Sequence, residues 1–246
     1  MFFFLTPAFG IIAIHVLAAV LPAAFLLRYI YRLDRAEPEP VSILWGCILS
    51  GVFAVVASVV LEMVGQVILD AVVESTEPFY LILLTFLVVG AVEEGTKLYF
   101  LKRRTWDDPN FNYRFDGIVY AAFVSLGFAA VENIQYVFSY GLSVAFTRAI
   151  FSIPGHFAFS VLMGIHYGRA KQCEYRMDEG GKTLNMVLAF VVPTLFHGFY
   201  DACAMSESDF SSWIFLAFVV ITYVWIFLRV KKEADHDVAL YYDQLD

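Results

Sequence analysis

This sequence has little charge and very little cysteine. Asp, Glu, Lys and Arg make up only 16% of its 246 residues, while 60% are hydrophobic and the mean hydropathy is +0.70. That is too little polar surface for a soluble domain of this length. The three cysteines, Cys47, Cys173 and Cys203, share no metal-type spacing and fall in different helices or loops, so they read as structural residues. Also missing are a Gly-rich phosphate loop, a GxSxG elbow, an HExxH pair, a low-complexity tract and an internal repeat. The net charge of -8 comes from the acidic tail around Asp235 to Asp246 and from scattered loop acids. Membrane orientation explains the basic residues, which excludes a nucleic-acid partner.

What is present is apolar sequence in long blocks. Seven blocks, at 3–27, 41–69, 79–101, 116–138, 146–168, 184–204 and 211–228, approach or exceed the roughly 20 residues that cross a bilayer as helix. None alternates with period two, so the pattern predicts helices rather than an outer-membrane barrel. The expected fold is an all-α polytopic bundle of about seven membrane helices, one domain over 1–246 whose core helices lie over 79–204. The first block lacks a basic start and a small-residue cleavage site and is followed by Arg28, Arg32 and Arg35, so it is kept as a helix rather than a signal peptide. Fourteen of the 16 Lys and Arg cluster at 28–35, 102–114, 169–182 and 229–232, in alternate connections, while the other connections carry Glu74, Glu77, Glu207 and Asp209. The N-terminus is therefore expected outside and the C-terminus in the cytoplasm.

The two remaining basic residues, Lys97 and Arg148, lie inside blocks, and so do several acids. An ionisable group in hydrocarbon costs several kcal/mol unless it is paired or hydrated. Glu93 and Lys97 are four apart and Glu94 is three before Lys97, so both carboxylates can reach one ammonium. One negative charge is left over, which suits a carboxylate that activates water; a helix-packing ion pair would need a single glutamate. In the fourth block Gly117, Ala121, Ser125 and Ala129 recur every fourth residue and lead to Glu132-Asn133, a close-packing face that turns Glu132 inward or makes the pair an interhelical hydrogen-bonding element. Asp116 reads as a helix cap.

Pro154-Gly155-His156 predicts a kink near Ile150 beside a histidine. Arg148 can pair with Glu132 or snorkel outward. Pro193 precedes His197 by four residues, and Asp201 follows it by four on the same face, where a carboxylate can fix a histidine's tautomer or join it as a metal ligand. His15, His166 and His236 have no such partners, and Glu62 and Asp70 are expected in solvent near the outer interface. At about 1.5 Å per residue, Glu93, His156 and His197 reach similar depth, with Glu132 nearer the outer half. Together they suit hydrolysis, with water activated by Glu alone or by a Zn²⁺ that brings its pKa to about 7.

The ordered set Glu93-Glu94-x-x-Lys97, Phe115-Asp116-Gly117-Ile118-Val119-Tyr120, Gly127-Phe128-Ala129 with Glu132-Asn133, then His156 and His197-x-x-x-Asp201 resembles the PrsW-type intramembrane proteases over roughly 90–201. The resemblance implies a multi-helix protease of the cell membrane in a prokaryote, cutting membrane-anchored, single-pass proteins such as anti-sigma factors. It also implies kinship with CAAX-processing and bacteriocin-immunity membrane proteases, in which an arginine stands four residues after the second glutamate where this chain has Lys97 at three. Carried over, Glu93 and Glu94 would activate water, and His156 and His197 would bind metal or stabilise the oxyanion. Glu132, Asn133 and Asp201 would support them, with His156, His197 and Glu132 as the metal set if Zn²⁺ is used. Two other classes fit the same polar residues: a proton or ion relay, which needs no such full set, and a non-catalytic scaffold, which would have lost a member.

Overall fold

The computed structural model describes residues 7–77 and 79–240. The first residues of the block at 3–27 and the end of the acidic tail lie outside that range. Among the described residues every regular element is a helix, and the single β-bridge joins Tyr113 to Ala239.

In chain order the helices are α1 (Pro7–Leu33), α2 (Val41–Val72), α3 (80–105), α4 (Asp116–Tyr140), α5 (Leu142–Ile150), α6 (Ser152–Tyr175), α7 (Glu179–Met205) and α8 (Asp209–Asp235). Six spans, with α5 and α6 counted as one, are long and apolar enough to cross a membrane. The seventh, α3, has the length but carries the charge cluster. Large side chains such as Phe25, Val67, Phe146 and Trp213 point outward, as expected where the surrounding medium is lipid. The chain is thus a multi-pass membrane protein.

α4 sits at the centre, packed between α2 on one side and α6 on the other. Its small residues permit this: a β-carbon on Gly117 would lie 2.6 Å from the backbone nitrogen of Gly168 in α6. Further along, the Ser125 hydroxyl donates to the carbonyl of His156, 3.0 Å away. The close-packing face read from the sequence therefore holds α6, and the histidine on it, against α4.

Two helices depart from regular geometry beside the polar residues. α3 begins as one α-helical turn (Tyr80–Leu83), continues as a π-helical stretch (Leu84–Gly90) and returns to α-helix at Ala91–Thr105. The wider π turns shift the register just before Glu93 and Glu94. The predicted kink near Ile150 is a break at Phe151, where α5 ends and α6 begins. Proline at 154 cannot donate to Ile150, and the neighbouring Phe151 carbonyl accepts from Gly155 N at 3.1 Å and also from an external donor, the Tyr223 hydroxyl of α8. Pro193, by contrast, is carried inside an unbroken α7.

Candidate active site

The Lys97 ammonium, fully buried, is the hub of the intramembrane polar residues. Its Nζ donates to Glu93 Oε2 at 2.9 Å and Glu94 Oε1 at 2.8 Å, and lies 3.2 Å from His156 Nδ1 and 4.1 Å over the Phe128 ring. An ammonium has only donors, so His156 Nδ1 accepts and its proton sits on Nε2. That nitrogen donates to Glu132 Oε2 at 2.8 Å. One contact from α3 thus sets the tautomer of a histidine on α6.

His197 comes from α7 on the other side. Its Nδ1 donates to Glu94 Oε1 at 2.9 Å, leaving Nε2 facing Asp201 Oδ2 at 3.4 Å and Glu93 Oε2 at 3.9 Å. The approach of α7 to α3 depends on Gly90, where a β-carbon would meet the Thr85 carbonyl at 2.9 Å and the backbone nitrogen of Gly198 at 3.2 Å. The His156 and His197 rings end with centroids 5.5 Å apart.

The two adjacent glutamates differ in access. Glu93 lines a cavity of about 640 Å³ together with Glu62, Glu132, His156, His197 and Asp201. Glu94 is fully buried behind Lys97 and His197, and its Oε2 has no hydrogen-bond partner among the described residues. A carboxylate next to Glu93 thus serves as an internal counter-charge. Thr96 bonds the Glu93 carbonyl at 3.0 Å and Ser58 of α2 at 2.6 Å, which ties this turn of α3 to α2.

Arg148, whose role the sequence left open, turns inward. It pairs with Glu132 at 3.0 Å, donates from Nε to Asn133 Oδ1 at 2.8 Å and lies 3.9 Å over the Tyr136 ring. Asn133 in turn donates to the Ala19 carbonyl of α1 at 2.7 Å.

Two expectations are corrected. Glu62, expected in solvent, lines the cavity, because α2 continues past Ser58 along the same wall. Asp116 does not cap α4: its Oδ2 accepts from Asn112 and Tyr113, residues before the helix, at 3.0 and 2.7 Å. Asp70 pairs with the Tyr80 hydroxyl. His15 and His236 bond carbonyls of their own helical turn and His166 faces Asn185, all away from the cavity. The three cysteines are free.

Glu93, Glu94 and His156 are the group whose ligand atoms come within 4.8 Å of one another among the described residues. All three contact the Lys97 ammonium, so that cage already holds a positive charge. On the cavity side two imidazoles and several carboxylates face one space, but the expected metal set His156, His197 and Glu132 does not close to 4.8 Å among the described residues, and both His156 nitrogens are engaged by Lys97 and Glu132.

Comparison with known proteins matches these features to one family. The model of the PrsW family of intramembrane metalloproteases covers residues 39–228. Protease PrsW of Bacillus subtilis (strain 168) is 33% identical over 218 residues, covering 88% of this chain and 94% of the relative. Protease PrsW of Geobacillus kaustophilus is 30% identical over 217 residues, 88% of this chain and 90% of the relative, and that of Clostridioides difficile (strain 630) is 29% identical over 233 residues, 93% and 95%. No solved structure matches significantly. A multi-pass helical bundle with carboxylates and histidines around one intramembrane cavity, matched along most of its length, makes this chain a bacterial-type intramembrane peptide hydrolase, a member of the PrsW family of intramembrane metalloproteases.

Proposed function

We propose that Glu93 is the general base that activates water for attack on the scissile carbonyl of a single-pass membrane protein. The observation that carries this is the split between the glutamates: Glu93 opens on the cavity and Glu94 is sealed behind it. Lys97 holds both carboxylates, keeps Glu93 aimed, and presents a fixed charge to His156. Burial in a low-dielectric bundle makes each of these contacts stronger than it would be in water.

The substrate helix enters laterally and unwinds, because a peptide bond within a helix hides its carbonyl carbon from water. As an imidazolium, with Nδ1–H on Glu94 and Nε2–H facing the cavity, His197 donates to the oxyanion as the tetrahedral intermediate forms. Glu132, held by Arg148, keeps His156 oriented beside it. A Zn²⁺ held by His156, His197 and Glu132 on the cavity side would require His156 to give up its present contacts with Lys97 and Glu132, and it would supply a polarised water and a Lewis acid for the carbonyl. The distribution of basic connections supports an N-terminus outside and a C-terminus in the cytoplasm, and the single-pass substrates proposed are of the anti-sigma-factor kind.

The deciding experiment is cleavage of a single-pass substrate by purified enzyme in lipid. Glu93→Ala is expected to lower turnover by about 10² to 10⁴. Retention of cleavage by Glu93→Ala, Glu94→Ala and His197→Ala together would overturn the reading, and ion flux without cleavage would assign the cavity to a relay.

A further inference from the structure

At the end of the bundle that carries the basic connections, three arginines from three different elements converge on one buried carboxylate, Glu233 of α8. Its Oε1 meets the Arg229 guanidinium at 2.6 Å and that of Arg169 in α6 at 3.8 Å, and its Oε2 meets Arg114, from the connection before α4, at 3.4 Å. Arg114 also donates to the His236 carbonyl at 3.0 Å. Asp237 is a further charged neighbour of Arg114, and its Oδ1 is already taken by the Phe115 and Val238 amides. Membrane orientation asks only that basic residues lie in these connections. It does not ask three of them to share a carboxylate.

The group is left with positive charge to spare. Three guanidiniums against Glu233 and Asp237 leave one charge over, and the neighbouring residues of α8, Lys231, Lys232 and Asp235, bring the excess to two. A guanidinium stays protonated in proteins, so this excess is not discharged by moving a proton. Each guanidinium offers five N–H donors, and the contacts above use one or two of them. The Arg114, Arg169 and Arg229 side chains keep 23%, 39% and 29% of their surface exposed, so the unused donors are reachable from outside.

A second feature leads into the cluster from the bilayer. Ile221, Trp225 and Leu228 form an exposed apolar stripe along α8, and Arg229 and Lys232 continue it at the same spacing of three and four residues. Apolar side chains, a tryptophan and then fixed positive charge follow the order of an acyl chain, the interface and a headgroup. A free phosphate would use the arginines and leave the stripe without a part; a phospholipid uses both. We propose that an acidic phospholipid of the leaflet at this end binds here, with its phosphate on Arg169 and Arg229, Arg114 behind them, and an acyl chain along Ile221, Trp225 and Leu228. The lipid then pins α8 to α6 and to the connection before α4.

The test places full-length protein in nanodiscs of phosphatidylcholine with graded phosphatidylglycerol and counts retained lipid by native mass spectrometry. One phosphatidylglycerol per chain should be retained in preference to phosphatidylcholine. Arg169→Gln and Arg229→Gln should each lower that preference by about fivefold, while Arg103→Gln, an exposed arginine of α3 outside the cluster, should leave it unchanged. Glu233→Gln removes the competing carboxylate and should raise it. Equal retention of the two lipids by the parent protein would overturn the proposal, as would an equal loss in Arg103→Gln or no gain in Glu233→Gln. Displacement of the lipid by inorganic phosphate, beyond that by NaCl at equal ionic strength, would assign the arginines to free phosphate instead. The comparison in the parent protein needs no variant, so it decides the matter even if an arginine variant fails to fold.

Discussion

His156 accepts a hydrogen bond from Lys97 at 3.2 Å, although the two residues are 59 positions apart on different helices. The contact joins the glutamate pair to the histidine and leaves the histidine's proton on the nitrogen that faces Glu132. Lys97 is therefore expected to be as important as either glutamate. Lys97→Met leaves two buried carboxylates without their cation, a loss of about 3 to 5 kcal/mol, and should abolish cleavage. Thermal unfolding and substrate cleavage in the same lipid check both parts.

The glutamates are expected to separate by phenotype. Glu93→Gln should fold normally and lose about 10² to 10⁴ in turnover, because only the proton acceptor is removed. Glu94→Gln should lose stability as well as activity, since Glu94 Oε1 accepts from both Lys97 and His197. Paired melting curves and initial rates distinguish the two; equal effects on both measurements would contradict the division of roles.

Arg148 acts through Glu132 on His156. Arg148→Ala is expected to lower kcat by about 10- to 100-fold, the usual cost of losing an orienting partner, with little change in KM. Arg148→Lys should not restore it, because one ammonium cannot reproduce contacts to Glu132 and Asn133 while stacked on Tyr136. Steady-state kinetics on a single substrate give the split.

Zinc, if present, belongs on the cavity side. Protein purified with zinc should carry one ion per chain, and His197→Ala should lose it, as measured by elemental analysis. Zinc retained in a His156→Ala, His197→Ala double variant would place the ion elsewhere.

The acids of the α1–α2 connection give a pH dependence. Burial pushes Asp34 up to about 6 and Glu39 up to about 7 from ordinary values of 3.8 and 4.5. A carboxyl with a raised folded value binds a proton that the unfolded chain has released. Stability should therefore be highest below about pH 4 on this account and fall as pH rises toward 7. Melting temperatures measured in chelator between pH 5 and 8 should decline, and Glu39→Gln should flatten the slope.

Much of the architecture was legible in the sequence because lipid imposes coarse rules. A span needs about 20 apolar residues, and a charge inside it needs a partner. These rules located the helices, the Glu93-Glu94-Lys97 turn and the break that Pro154 produces. They could not supply the π-helical stretch at Leu84–Gly90, whose residues carry no punctuation for it. Nor could they place Glu62, since only the angle between α2 and α3 decides whether it meets solvent or the cavity. Arg148 was ambiguous for the same reason: its partners Glu132 and Asn133 are brought to it by tertiary packing. Asp116 looked like a cap because a carboxylate at a helix start usually is one; here the preceding connection folds back and takes it first.

The break at Phe151 gives α8 a part in the enzyme that its sequence does not announce. α8 brings none of the residues around Lys97, yet its Tyr223 hydroxyl joins the Gly155 amide as a second donor to the Phe151 carbonyl where α5 and α6 separate. During biosynthesis α8 is the last of the described spans to leave the ribosome, so until it inserts the break lacks its hydrogen bond to this neighbouring helix.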